Sequence, residues 1–159
     1  MIHYLDNAAT SRVLPEAAEA AVRVMCEDFG NPSSLHKMGI DAARILEDSR
    51  AAVAQALSAQ PAEVYFTSGG TESINTALFG AARKNRHAGR HIVTTAIEHA
   101  ATRNACRRLE GEGFAVTYVR PDADGHILAE EMENAMREDT ILVSCMLVNN
   151  EVGTVLPVA

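Results

Sequence analysis

Short apolar segments alternate with segments of helical periodicity from residue 64 to residue 148. The apolar segments predict four strands, at residues 64–67, 91–97, 115–119 and 140–148. The intervening segments predict helices at residues 71–85, 100–112 and 129–137. Strands that alternate with helices pair in parallel, because each helix returns the chain to the edge where the next strand begins. The sequence therefore predicts an α/β fold of three layers, with a mostly parallel sheet between helices on both faces.

Two further helices are predicted before the first strand. Pro15 favours a helix start, since its missing N–H would have no partner in the first turn. Apolar residues recur at helical spacing on one face of this segment, at Ala18, Val22, Met25 and Phe29. A second amphipathic helix is predicted over residues 39–58, with Leu46, Val53 and Leu57 facing inward.

A Ser-Gly-Gly-Thr turn, residues 68–71, connects the first predicted strand to the following helix. The amino terminus of a helix offers free N–H groups and a positive dipole end, which suit a phosphate. Glycine leaves the backbone open to an anion because it has no Cβ. We therefore take the amide of Gly70 and the hydroxyl of Thr71 as candidate phosphate contacts. The alternative is a simple helix cap after a flexible turn, which this segment alone fits equally well.

Polar side chains follow three of the predicted strands at their carboxyl ends. The Ser-Gly-Gly turn follows the first, His99 follows the second, and Asn149 and Asn150 follow the fourth. Ligands of open parallel sheets bind at this edge, so we expect these groups to converge. An imidazole there can transfer protons near neutral pH, and a carboxamide can donate without adding charge. The alternatives are a histidine that caps the next helix and a plain turn after the strand.

Composition restricts the function classes. The chain has 159 residues, of which 47% are hydrophobic and 22% charged, as expected for one soluble domain. A net charge of −7 argues against a nucleic-acid partner. No long apolar run or basic leader predicts a membrane span or a secretory signal.

The cysteines and histidines suggest a location and argue against a metal site. Cys26, Cys106 and Cys145 are widely spaced and odd in number, which favours a reducing, cytoplasmic setting and structural roles. His87 and His91 have helical spacing, but Gly89 lies between them and no further ligand joins them. We therefore expect no metal site there.

Five short motifs occur in a fixed order along the chain. They are Tyr4-Leu-Asp-Asn-Ala-Ala-Thr10, Gly30-Asn-Pro-Ser-Ser-Leu-His36, Phe66-Thr-Ser-Gly-Gly-Thr-Glu-Ser73, Ile97-Glu-His99 and Leu147-Val-Asn-Asn-Glu-Val-Gly153. In this order and spacing the whole chain closely resembles the amino-terminal part of cysteine desulfurases, pyridoxal-phosphate enzymes of the class-V aminotransferase group. The second motif is similar to the branch that serves iron–sulfur cluster assembly and tRNA thiolation. The related selenocysteine-lyase-like branch usually differs in this segment.

The resemblance implies a function and a set of site residues. The parent activity would transfer sulfur from L-cysteine to an enzyme persulfide and yield L-alanine. His99 would be catalytic and would stack on the cofactor, while Gly70, Thr71 and Asn150 would bind the cofactor. A loop near the substrate would consist of small and polar residues, Asn7, Ala8, Ala9 and Thr10. Residues 1–14 would lie near the active site, and residues 15–159 would form part of the cofactor-binding large domain of fold-type I transferases.

The resemblance also implies parts that this sequence does not match. The family's Schiff-base lysine, pyridine-pairing aspartate, substrate arginine and persulfide cysteine lie further along. Lys37 and Lys84 lack a Ser-x-His-Lys-like context, and His36 matches a motif but implies only a structural or dimer role. We therefore expect the chain alone to be inactive and the fold to be incomplete at its carboxyl end.

Several assignments remain open at this stage. The chain would act as a homodimer or with a carboxyl-terminal half, with a sulfur-acceptor protein as a further partner. It could instead be a non-catalytic or split-enzyme fragment, or a related class-V aminotransferase or selenocysteine lyase. In the family, later strands separate the first strand from the others. Residues 64–67 should therefore lack a sheet neighbour, and residues 140–148 should form an unpaired apolar edge.

Overall fold

The chain divides after Phe66 into two units in the computed structural model, which describes residues 3–158. The first unit is helical, and the second contains the sheet. The predicted division at residue 14 remains a prediction.

The second unit is built on three parallel strands. They are β1 (His91–Thr95), β2 (Ala115–Val119) and β3 (Thr140–Ser144). The strand order is β2-β1-β3, so the first strand in the sequence is the central one. The register with β2 is regular, whereas pairing with β3 shifts between His91 and Ile92. The predicted parallel sheet is confirmed for these three strands.

Helices cover both faces of this sheet, as predicted. On one face, Ile92 packs with Ala82 from α3 (Gly70–Asn85) and Leu109 from α4 (Ala100–Gly111). On the other face, Val93 packs with Met132 from α5 (Ala129–Asn134) and with Leu156. Consecutive residues of β1 thus face opposite layers, because side chains alternate along a strand. All five residues of β1 are buried, as expected for a central strand.

Two strand predictions are wrong in extent or existence. Residues 64–67 are not a strand, and Tyr65 is 80% exposed. This agrees with the expectation that the segment would lack a sheet neighbour, since an isolated extended segment forms no ladder. The last strand ends at Ser144 rather than at residue 148, and its residues are half-buried or exposed instead of buried on both faces. β3 lies at an edge of the sheet, which explains the exposure of Val143.

The first unit contains α1 (Pro15–Cys26), α2 (Lys37–Ala56) and a short 3-10 helix (Pro61–Glu63). Pro15 begins α1 as predicted. His36 caps α2, because its Nδ1 accepts a hydrogen bond from the Gly39 amide at 3.3 Å. A Cβ on Gly39 would lie 2.2 Å from the carbonyl oxygen of Ser34, so the loop before α2 packs against a residue that must be glycine. The motif ending at His36 therefore has a structural role, as expected.

The predicted burial of the first two helices is wrong. α1 buries none of its residues, and Met25 is 67% exposed and Leu57 is 68% exposed. Helical periodicity identified the apolar faces correctly, but nothing among the described residues covers them. An open cleft of about 490 Å³ lies between α1 and α2, and it is lined mainly by apolar side chains such as Phe29 and Ile45.

Candidate active site

A cavity of about 310 Å³ lies at the carboxyl end of the sheet in the second unit. Its lining comes from α3, from the loop after β1 and the start of α4, and from the end of β3. The lining residues are Ile74, Ala77, Leu78, Glu98, His99, Thr102, Ser144, Cys145 and Met146. This is the edge at which open parallel sheets bind their ligands. His99, α3 and the end of β3 meet at this cavity, but residues 68–71, Asn149 and Asn150 are not among its lining residues, so their convergence with His99 stays a prediction.

His99 is the last residue before α4 and caps that helix. Its Nδ1 accepts a hydrogen bond from the Ala101 amide at 3.1 Å. Because Nδ1 is an acceptor, the neutral ring carries its proton on Nε2. The side chain is exposed and lines the cavity. The capping role considered as an alternative is real, and it fixes the tautomer and orientation of a ring that faces the cavity.

The start of α3 precedes the part of that helix that lines the cavity. Gly70 is the first residue of α3, and the first N–H groups of a helix have no partner within it. A Cβ built on Gly70 would meet nothing within 4 Å, so a ligand can approach this backbone. Ile74 lines the cavity one turn further along α3. Gly70 and Thr71 therefore lie about one helical turn, or roughly 5 Å along the axis of α3, before Ile74.

A carboxylate organises the turn before α3. Glu72 Oε2 accepts hydrogen bonds from the amide and the hydroxyl of Ser68, both at 2.7 Å. These bonds, the side-chain one first, lower the pKa of Glu72 below its usual value. Thr67 Oγ1 also lies 2.7 Å from the hydroxyl of Ser73 across the same turn. Glu72 thus uses the Ser68 donors, and Gly70 and Thr71 remain as the donors for an anion.

The loop after β3 carries two asparagines in different environments. Asn149 is 5% exposed, and its Nδ2 donates to the Ile97 carbonyl at 3.0 Å. Its Oδ1 accepts from the amides of Glu151 and Val152. Asn150 is exposed, and its Nδ2 donates to Glu151 Oε1 at 2.7 Å. The side-chain amide of Asn149 is therefore fully engaged in hydrogen bonds within the fold, whereas Asn150 is exposed and is not among the cavity-lining residues.

The predicted substrate loop belongs to the first unit. Asn7, Ala8 and Ala9 form a turn, in which the Ala9 and Thr10 amides donate to the Asp6 carbonyl at 3.2 and 3.4 Å. The Tyr4 hydroxyl closes the turn by donating to the Asp6 and Thr10 carbonyls. All four predicted residues are exposed. Their proximity to a substrate stays a prediction.

Sequence reasoning missed two residues of the cavity wall. Glu98 was treated only as part of the motif with His99, yet it is 6% exposed and lines the cavity. Cys145 was interpreted as structural, and it also lines the cavity. Burial, together with the Glu98 charge, raises the pKa of the Cys145 thiol above its usual value. A protonated thiol is a poor nucleophile, so Cys145 contributes shape and polarity at neutral pH. The sequence did contain a signal for Glu98, because an acidic residue that directly follows an apolar strand is a candidate for the carboxyl edge of the sheet.

The donor set suits the phosphorylated pyridine that the motifs imply. Backbone amides and a threonine hydroxyl at a helix amino terminus match a phosphate, and a tautomer-fixed imidazole matches an aromatic ring. Within residues 3–158 no group of three or more histidine, cysteine or acidic side chains could hold a metal ion. No helix in the described part of the chain has the length and apolarity needed to cross a membrane.

The family model described as aminotransferase class-V matches residues 3–159, and the chain belongs to this family. Among curated proteins, the chain is similar to a cysteine desulfurase IscS from Methanosarcina thermophila, with 48% identity over 98% of the chain. It is also 44% identical, over 98% of its length, to a putative cysteine desulfurase, IscS 1, from Bacillus subtilis. The chain spans only 38% and 41% of the lengths of these two relatives.

Solved structures agree with the fold. A NifS-like protein superposes with a TM-score of 0.95 at 44% identity, over 99% of this chain and 43% of that one. DndA from Streptomyces lividans superposes with a TM-score of 0.86 at 46% identity, over 99% of this chain and 44% of that one. The match confirms the α/β fold and its likeness to the amino-terminal portion of these structures.

Proposed function

We propose that this chain carries the cofactor-binding part of a pyridoxal-phosphate-dependent cysteine desulfurase. The activity would move sulfur from L-cysteine to an enzyme persulfide and release L-alanine. The observation that carries the proposal is one cavity at the carboxyl end of the sheet, which has the capping imidazole of His99 and residues of α3 in its wall. The names of two similar curated relatives support the same activity.

Each candidate residue has a role that follows from its position. The amides of Gly70 and Thr71, with the Thr71 hydroxyl, bind the phosphate, and the dipole of α3 adds favourable charge. The capping bond holds the His99 ring in one orientation, so that it can stack on a pyridine and move a proton through Nε2. Asn150 donates from the adjacent loop to the ring oxygen or to a substrate carboxylate. When bound, pyridoxal phosphate supplies the electron sink that makes bonds near the amino acid α-carbon labile.

The lysines of this chain do not supply the covalent link to the cofactor in this proposal. Lys84 lies in the last turn of α3, at the other end from Gly70. Fourteen residues of helix separate the two, which is about 21 Å. Lys37 lies at the start of α2 in the first unit. A complementary carboxyl-terminal segment would therefore provide the lysine and the persulfide cysteine, because a second copy of this chain brings only the same two lysines.

The wider setting follows the same proposal. The residues Asn7, Ala8, Ala9 and Thr10 would leave room for L-cysteine, as their small side chains suggest. A sulfur-acceptor protein would receive the outer sulfur atom of the persulfide for iron–sulfur cluster assembly or tRNA thiolation. Free cysteines at positions 26, 106 and 145 support a reducing, cytoplasmic location.

A second candidate is a non-catalytic fragment that pairs with another chain. The half-exposed residues of the edge strand β3 favour it, because such an edge readily accepts a further strand. A related class-V aminotransferase or selenocysteine lyase would share the same cavity. The test mixes this chain with the carboxyl-terminal segment of a relative and measures sulfide release from L-cysteine under reductant. Only the desulfurase should release sulfide, so this measurement distinguishes it from the alternatives.

Two substitutions of His99 test the cofactor site itself. His99→Asn keeps a side chain that caps helices well, whereas His99→Ala removes the cap at a cost of about 1 kcal/mol. Both should weaken binding of pyridoxal phosphate, measured by equilibrium dialysis, but only His99→Ala should lower the free energy of unfolding. If His99→Asn binds the cofactor as tightly as the original chain, the histidine is only a cap and the proposal is wrong.

A further inference from the structure

A buried carboxylate next to His99 joins the two loops that form the cavity edge. Glu98 Oε1 accepts a hydrogen bond from the Met146 amide at 2.7 Å, across 48 residues of sequence. It also accepts from the Thr95 hydroxyl at 3.2 Å. Glu98 is 6% exposed, and within residues 3–158 no basic side chain forms an ion pair with it. A buried charge of this kind is retained at a cost, so its hydrogen bonds are central to this part of the fold.

A second hydrogen bond joins the same loops, and here the side chain belongs to the loop after β3. Asn149, in the loop after β3, donates to the carbonyl of Ile97 in the loop after β1 at 3.0 Å. The first loop therefore accepts from the second through both a side chain and a backbone group. We call the Glu98–Met146 and Asn149–Ile97 hydrogen bonds the loop latch.

The latch residues alternate with the candidate site residues. Glu98 is buried and its neighbour His99 is exposed, while Asn149 is buried and its neighbour Asn150 is exposed. Each site residue thus follows directly on a residue whose side chain is held by the other loop. A displacement of either loop would change the separation of His99 and Asn150 without altering either side chain.

We infer that Glu98 is a positioning residue, which holds the loop after β3 against the loop after β1 and so fixes Asn150 relative to His99. This inference deepens the proposed function and rests on it for the identity of the ligand. Shifts of this size matter because catalytic and binding groups need their geometry set to within about 0.5 Å. The inference assigns Glu98 no contact with a substrate.

The test changes a residue in one loop and measures the NMR signals of residues in the other loop. Glu98→Ala removes the acceptor and leaves the Met146 amide unpaired, whereas Glu98→Gln keeps an acceptor oxygen. Thr117→Val is the matched control, because it removes a hydrogen bond to His91 at the far end of the sheet. In proton–nitrogen NMR spectra, Glu98→Ala should shift the Asn150 side-chain signals and lower the exchange protection of the Met146 amide about tenfold. Glu98→Gln and Thr117→Val should leave both unchanged.

The affinity for pyridoxal phosphate and a second variant complete the test. Binding of pyridoxal phosphate should weaken about tenfold in Glu98→Ala and less than about threefold in Glu98→Gln. If Glu98→Ala does not fold, Asn149→Asp tests the latch from the other side, since it removes the donor to Ile97 and keeps the Oδ1 acceptor. It should then shift the ring signals of His99.

Unchanged signals across the loops, or equal effects of Glu98→Ala and Glu98→Gln, would overturn the inference. Absence of cofactor binding by the original chain would instead contradict the proposed function, while the NMR comparison still decides the role of Glu98.

Discussion

His91 and Thr140 are joined by a hydrogen bond of 2.7 Å between the imidazole Nδ1 and the threonine hydroxyl. The other ring nitrogen lies 2.8 Å from the hydroxyl of Thr117. One side chain of the central strand therefore connects all three strands at the amino end of the sheet. The ring is fully buried, and burial lowers its pKa below the ordinary value of 6.5. The nearby charge of Arg137 lowers the pKa further, and that of Asp139 partly opposes the shift.

This burial predicts a pH dependence of stability. The unfolded chain binds a proton on this histidine near pH 6.5, while the folded chain does not, so stability should fall as the pH drops from 7 to 5. The slope for one proton is at most about 1.4 kcal/mol per pH unit. His91→Gln should flatten the dependence in this window, as measured by urea unfolding at several pH values. A slope that survives the substitution would assign the effect to another group.

The two asparagines after β3 should respond differently to substitution. Asn149→Ala leaves the half-buried Ile97 carbonyl and two loop amides without a partner and should lower the free energy of unfolding by about 2–3 kcal/mol. Asn150→Ala changes an exposed side chain and should alter the free energy by less than about 0.5 kcal/mol. Asn150→Ala should nevertheless weaken binding of pyridoxal phosphate. Equal destabilisation by the two substitutions would contradict this division of roles.

The start of α3 predicts a difference between a side-chain donor and a backbone donor. Thr71→Val removes a hydroxyl but keeps the amide, and it should weaken cofactor binding about tenfold by losing a hydrogen bond to a charged group. Gly70→Ala keeps the amide and its Cβ meets no protein atom within 4 Å, so the fold should tolerate it, but the methyl group narrows the approach of an anion to the backbone and should weaken binding without lowering the free energy of unfolding. Equilibrium dialysis with pyridoxal phosphate measures both. Gly89→Ala is a folding control, since its Cβ would lie 2.1 Å from the Asp139 carbonyl oxygen and should destabilise the unit.

The three thiols should differ in reactivity. Cys106 is fully buried, and burial with the charges of Glu98 and Glu110 raises its pKa to about 11. At pH 8 only about one in a thousand of its molecules would carry a thiolate. Cys26 is exposed and Cys145 is intermediate. Iodoacetamide labelling followed by mass spectrometry should therefore modify Cys26 first, Cys145 more slowly and Cys106 only after unfolding. Early labelling of Cys106 would show that the second unit opens locally.

Much of the fold could be predicted because the signals are local. Pro15 predicts the start of α1 at the observed residue. The predicted end of the helix over residues 100–112 lies within one residue of the observed end of α4 at Gly111. Runs such as residues 115–119 are strands in the structure, since their β-branched residues suit a pleated surface. The position of His99 directly after a strand of the sheet also followed from the strand pattern.

The failures concern contacts between distant parts. Residues 64–67 have the composition of a strand but no partner, and composition does not report a partner. Beyond the end of β3 at Ser144, the Met146 amide donates to the side chain of Glu98, 48 residues away, and composition does not report such a partner. The apolar face containing Met25 was recognised, but its exposure depends on what packs against it. The latch was missed for the same reason, because both of its bonds span two crossovers.

The strand order β2-β1-β3 also bears on synthesis at the ribosome. β1 is made before both of its neighbours, so its two edges gain partners only as residues 115–119 and then 140–144 emerge. Until Thr140 appears, the His91 ring has one hydroxyl partner at most. The nascent second unit thus passes through a stage in which its most buried strand is half-paired, and a chain stalled before residue 140 would be a natural client for chaperones.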